Sequence, residues 1–282
     1  MKQSLLESCS LEVTAKQAMD MAAVAHRFPA GMQVAVACLP GESNAERARA
    51  VVALRGLGFE PVPHIAARLL ASSGELASTL AQYAAEANVS RLFVIAGDLD
   101  HARGPHADAL SVIRSGQLER QGIREVGIAG YPEGHPKIID AVLAQALQDK
   151  HREILERGMD CEITTQFGFD AHAAVDWIAR VRASDIAAPI RLGIAGPAST
   201  GTLLKYAAVC GVRTSAKVLA KYGLSLTKLL HPGGPDDYIG TLVQELQPAH
   251  GEVTLHLYPF GGLSKTADWW TRTVVAAEPS NH

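Results

Sequence analysis

The sequence lacks any apolar run long enough to cross a membrane, since no stretch gives eighteen uninterrupted apolar residues. Its opening, "MKQSLLESCSLEV", carries no apolar segment of the kind that directs export, so a soluble, cytoplasmic protein is expected. A block of lysine and arginine is also missing: the net charge is −3, with both signs mixed along the chain. That argues against nucleic acid and anionic membranes as partners and leaves small molecules. The four cysteines are scattered, with no CxxC and no Cys/His ligand spacing, which excludes a zinc ribbon and gives no disulfide framework. They read as reduced residues, three of them in or beside apolar runs. Eleven histidines include no HxH and no HExxH, and no carboxylate cluster surrounds them, so no metal site is expected. A GxSxG elbow is absent, which disfavours a serine hydrolase. Aromatics make up only 5% of the 282 residues, but 48% are hydrophobic, ample for a large core in one α/β domain or two small ones.

What is present is a rhythm. Short β-like runs begin at Cys9, Met32, Glu60, Arg91, Glu125, Cys161, Ile190 and Thr254. Between them lie stretches such as "AERARAVVALRGLG", with alanine and leucine at helical spacing and charges on the other face. Several stretches end in glycine (Gly58, Gly122, Gly158, Gly211), as helices do before a following strand. Strands alternating with helices imply parallel pairing, and eight such units in about 250 residues is the size of a (β/α)₈ barrel. An open doubly wound sheet would want a glycine-rich phosphate loop after the first strand, and "SLEVTAKQ" has none. The expected organisation is one barrel domain over residues 1–275 with a flexible tail over 276–282. The long interval between the seventh and eighth strands, with its "HPGGPDDYIG", should hold an extra helical segment or a lid.

The working face of such a barrel is the set of strand C-terminal ends. Those ends carry Glu12, His64, Asp98, Tyr131, Glu133, His135, Gln166 and Tyr258, while the opposite ends read as ordinary connectors. Glu12 stands alone among apolar neighbours: turned inward, burial would raise its pKa and suit a general acid, and turned outward it would be a rim residue. Asp98 follows Gly97, where backbone can approach a ligand, but an acid past a strand also serves as a helix N-cap. His64, in "PVPHIAA", is either a satisfied core residue or a ligand contact. Tyr131 and His135 sit in a loop stiffened by Pro132 and Pro136. Gln166 is an amide inside an apolar strand, where it must find hydrogen bonds from the protein or from a heterocyclic ligand.

"GYPEGHP" after the fifth strand, "ITTQFGFD" at the sixth and "AGD" after the fourth resemble the 5,10-methylenetetrahydrofolate reductases, nearly end to end, as a divergent member. The resemblance implies a (β/α)₈ barrel that holds FAD at the strand ends and passes hydride from NADH or NADPH to methylenetetrahydrofolate, giving 5-methyltetrahydrofolate. It casts Glu12 as the acid that helps open the folate ring. Asp98 becomes a catalytic residue that contacts the pterin and tunes the flavin. Gln166 and Tyr206 become pterin contacts, with Phe260 also placed on the substrate side. Cys38, His64, Ala96, Gly97, Tyr131 and His135 fall to the cofactor. Self-association is common in the family, so a homo-oligomer is possible. Three departures stand out: "AGD" puts Ala96 where an arginine is usual, a lysine before the sixth strand is missing, and "ACLPG" replaces "TYG" after the second. Weaker contacts to a pyrophosphate follow. They leave two other readings: direct hydride transfer from nicotinamide to folate without flavin, and a folate-binding barrel without redox chemistry.

Overall fold

The computed structural model describes residues 2–39, 41–210 and 235–277. Eight strands, β1 (Ser10–Val13), β2 (Gln33–Val36), β3 (Glu60–Ala66), β4 (Arg91–Ile95), β5 (Glu125–Gly130), β6 (Asp160–Phe167), β7 (Ile190–Ala195) and β8 (Val253–Tyr258), run parallel and close in chain order into a barrel. The closing seam pairs Ser10 with His256 and Leu11 with Leu257. Every run read from the sequence falls on one of these strands, those from Cys161 and Thr254 starting one residue after the strand does.

The helices among the described residues are α1 (Lys2–Glu7), α2 (Ala15–Asp20), α3 (Asn44–Gly56), α4 (Ser73–Ala87), α5 (Ala109–Arg114), α6 (Gln117–Arg120), α7 (Asp140–Glu156), α8 (Ala171–Arg182), α9 (Thr200–Val209), α10 (Asp236–Glu245) and α11 (Leu263–Ala277). Two of them, α9 and α10, lie between β7 and β8, as expected for an enlarged connection; "DDYIG" belongs to α10, while "HPGG" lies outside the described residues. The last helix runs to Ala277, two residues beyond the boundary expected for the barrel.

Local chemistry fixes where each strand hands over to its helix. Thr14, Ser43, Ser72, Asp108 and Asp170 each cap a helix by accepting a backbone N–H, a contact worth about 1 kcal/mol. Thr14 lies two residues past Glu12, so the cap of α2 sets where β1 stops and how Glu12 is presented. At the other helix ends, Gly58, Gly122 and Gly158 all take positive φ one residue past the C-cap of α3, α6 and α7. Gly211 falls outside the described residues.

Alternation along the strands divides the core in two. Leu11, Val34, Leu92, Val126, Ile163, Leu192 and Leu255, all fully buried, face the helices. The inner positions are polar at the strand starts, which corrects the reading of those ends as plain connectors. Arg191 Nε lies 2.7 Å from Glu162 Oε2, and Arg91 pairs with Glu125. Gln33, turned so that its oxygen faces both guanidiniums, accepts from Arg191 and Arg91 at 3.0 Å each. Arg191 also donates to the Ser8 carbonyl. These side chains close the barrel floor.

Candidate functional site

Glu12 reaches into the barrel mouth from β1 with about a fifth of its side chain exposed. It is not alone there. His64 Nε2 from β3 lies 3.6 Å from its Oε2, and His256 Nε2 from β8 lies 3.5 Å from the same atom. The other ring nitrogen of His256 is held by Ser10 Oγ at 2.7 Å. His256 is only 3% exposed, and its Nε2 has no closer partner than Glu12. His64 packs at 4.7 Å on the Phe93 ring. A small cavity of about 20 Å³ lies beneath, lined in part by Ser10, His64 and His256 above the floor carboxylates.

The electrostatics differ from those expected of a solitary acid. Burial does push the Glu12 carboxyl up, but the hydrogen bond from His256 and the charges of both imidazoles outweigh it, and the net pKa falls below the ordinary 4.5. His64 moves down from 6.5, because burial outweighs the pull of Glu12. The resting site is thus a carboxylate beside a neutral His64.

Around this acid stands an aromatic wall. Tyr258 sits 4.9 Å from the His256 ring and donates its hydroxyl to the Thr165 carbonyl at 3.1 Å, where the β6–β7 register shifts. Burial drives that phenol's pKa far up, with Glu12 adding to it. Phe260 stacks on Tyr258 at 5.5 Å and on Tyr206 at 4.1 Å, and Phe167 meets Phe260 edge-on. Tyr206 and Phe260, read separately from the sequence, therefore form one stack, with Tyr206 still 37% exposed.

Asp98 is exposed on the loop after β4. The N-cap of α5 is Asp108, which settles the alternative of Asp98 as a cap. Burial raises the pKa of Cys38, Tyr131 and Cys210, the last to about 11, and the charge of Asp98 adds to all three, with Glu12 also acting on the Cys210 thiol. Gly97 takes φ +89, and a Cβ there would come within 3.2 Å of Ala66. Arg68, which no sequence pattern singled out, pins this loop by donating to the carbonyls of Leu99 (2.8 Å) and Ala107 (2.8 Å).

The loop after β5 splits into two roles. Tyr131 and His135 meet edge to face at 5.3 Å on the rim. Glu133 instead accepts from the backbone N–H groups of Phe169 (2.6 Å) and Asp170 (2.8 Å), clamping the β6–α8 turn. Gln166 accepts from its neighbour Phe167 N–H at 3.1 Å and lines a crevice with Tyr131, Glu133 and Tyr238. It joins the rim rather than the Glu12 cluster. His256 and Ser10 are the residues that sequence reading missed.

A family model for methylenetetrahydrofolate reductase matches residues 14–225. The chain belongs to that family. The matched span begins two residues after Glu12, so the family assignment rests on the rest of the barrel and the rim, and Glu12 is placed by the geometry above. Among solved structures, the chain is similar to an uncharacterized protein from Clostridium thermocellum that binds two copies of 5-methyl-5,6,7,8-tetrahydrofolic acid. The TM-score is 0.60 at 12% identity, covering 97% of this chain and 96% of that one, a likeness of fold. Like other barrels of its kind, this reductase-family chain turns its polar constellation to the strand C-terminal ends. Among its described residues no helix is long and apolar enough to cross a membrane.

Proposed function

We propose that this protein interconverts 5,10-methylenetetrahydrofolate and 5-methyltetrahydrofolate by hydride transfer, with NADH or NADPH as the electron source. The observation that carries this reading is the carboxylate of Glu12 held between two imidazoles at 3.5 and 3.6 Å, beside an aromatic wall, in a family of folate reductases. The chemistry needs one hydride on the methylene carbon and one proton on the nitrogen that leaves it. Glu12 supplies the proton. It rests ionised, and a flat pterin lying across the mouth excludes water and raises its pKa toward the protonated form. His256, braced by Ser10, orients Glu12 and passes the proton back to it. Tyr206, Phe260 and Tyr258 offer faces for stacking, and Asp98 and Gln166 offer polar anchors at the rim.

FAD fits the rim in part. Gly97 brings backbone close, and Tyr131 and His135 meet on the rim beside it as candidate contacts, with Cys38 offered just past β2 and His64 by β3. Bound there, a flavin would relay hydride from nicotinamide to folate. The fit is poorer for its pyrophosphate: Ala96 offers no charge, and the guanidinium of Arg68 is already engaged with two loop carbonyls. That observation favours a second reading, in which nicotinamide delivers hydride to folate directly. Absorbance and product analysis of the pure protein, before and after anaerobic addition of 5-methyltetrahydrofolate, test both. Bleaching near 450 nm supports the flavoenzyme. Turnover with added nicotinamide but no such band supports direct transfer. No conversion of methylenetetrahydrofolate with NADH or NADPH, and none of 5-methyltetrahydrofolate with NAD+ or NADP+, would rule out both and leave a binding barrel.

A further inference from the structure

Successive helices of a (β/α)₈ barrel normally lie side by side, yet α7 packs on α5 and α8 packs on α10, and the two barely touch each other. Between them, outside the barrel, runs a cavity of about 720 Å³, within the usual size of a small-molecule site. Its upper wall is the loop Tyr131–Gly134 and its sides are α7 and α8. Trp177 forms part of the wall, seated against β5 where Gly130 has no side chain; a Cβ at Gly130 would lie 2.7 Å from the indole. The lining is graded in charge. Asp140 and Asp170 stand at the mouth end, where both helices begin. At the far end, about 15 Å away by helix rise, stands Arg180, which pairs with no carboxylate among the described residues. Leu143 and Leu147 supply apolar lining between, and Val181 lies beside Arg180.

We infer that this groove is a second ligand site, for an elongated molecule with an amino-substituted heteroaromatic ring at one end and a carboxylate at the other. Ring amino groups donate to the acids, the flat body lies against Trp177, and the carboxylate meets Arg180 in a charge-assisted pair. Folates have this build, so the choice of probe rests on the proposed function, although the groove shares only the Tyr131–Gly134 loop and Asp170 with the elements that frame the mouth.

Anaerobic calorimetry with 5-methyltetrahydrofolate tests it. The intact protein should take two equivalents per chain. Arg180→Glu should weaken one of them by about tenfold or more without changing turnover, and Asp98→Asn should weaken the other. The tryptophan fluorescence change that accompanies binding to the groove should vanish in Trp177→Phe. A single equivalent that Arg180→Glu leaves intact and Asp98→Asn abolishes would overturn the groove site and keep the mouth. A single equivalent lost only in Arg180→Glu would keep the groove and overturn the mouth as a folate site. A dimer that Arg180→Glu dissolves, with no second equivalent, would overturn the inference in favour of a second copy of the chain.

Discussion

The barrel has polar groups at both ends of its interior, and they are built on opposite terms. On the floor, two guanidiniums meet two carboxylates with Gln33 between them, and the closest described contacts are those of direct ion pairs. At the mouth, one carboxylate faces two imidazoles at 3.5 and 3.6 Å, distances that leave room to tighten or let go. Arginine stays charged at any working pH, whereas imidazole changes state near neutrality. The same inward positions thus make a fixed plug at one end and a movable proton at the other.

Breaking the floor should cost stability without touching chemistry. Arg191→Met leaves Glu162 buried without its partner and should lower the unfolding free energy by about 3–5 kcal/mol, read from urea denaturation. Turnover per folded molecule should stay near that of the intact protein. Disturbing the mouth should do the reverse. His256→Gln should slow folate turnover about tenfold, the scale of one lost hydrogen bond, with little change in the urea midpoint. It also removes the contact that lowers the Glu12 pKa, so the alkaline limb of the pH–rate profile should move to higher pH.

The smallest effect is on stability against pH. His64 has a folded pKa below its ordinary 6.5, so the unfolded chain binds its proton first and stability declines as pH drops below about 6.5. Glu12 has a folded pKa below 4.5, so its contribution is present above that value and is lost as pH falls through the folded one. His64→Gln should therefore shrink the upper part of the acid limb, to which His151 also contributes, and leave the lower part, measured as urea midpoints between pH 4 and 8.

Much of this was legible in the chain. The β3 run Glu60–Ala66 matches its strand residue for residue, because β-branched and apolar residues there are bounded by clear turn and helix signals. Glu12, Asp98, Tyr131 and His135 were singled out because they lie at or just past strand ends, where a barrel keeps its chemistry. His256 was not, although Thr254, His256 and Tyr258 alternate inward with period two. Its partner Glu12 lies on the far side of the closing seam, and no local pattern joins the first strand to the last. The same distance hid the lowered pKa of Glu12, since the sequence offered burial but not the two imidazoles that outweigh it. Arg68 escaped because its partners are backbone carbonyls, which leave no mark on composition.

The proposed hydride transfer needs Glu12 as the proton donor at the mouth. Its direct test is Glu12→Gln, which keeps the shape and removes the acid, assayed for conversion of methylenetetrahydrofolate with NADH or NADPH alongside binding of 5-methyltetrahydrofolate. The rate should fall by about 10²–10⁴-fold while the folate still binds and the urea midpoint holds. A variant that converts folate at the rate of the intact protein would contradict the assignment.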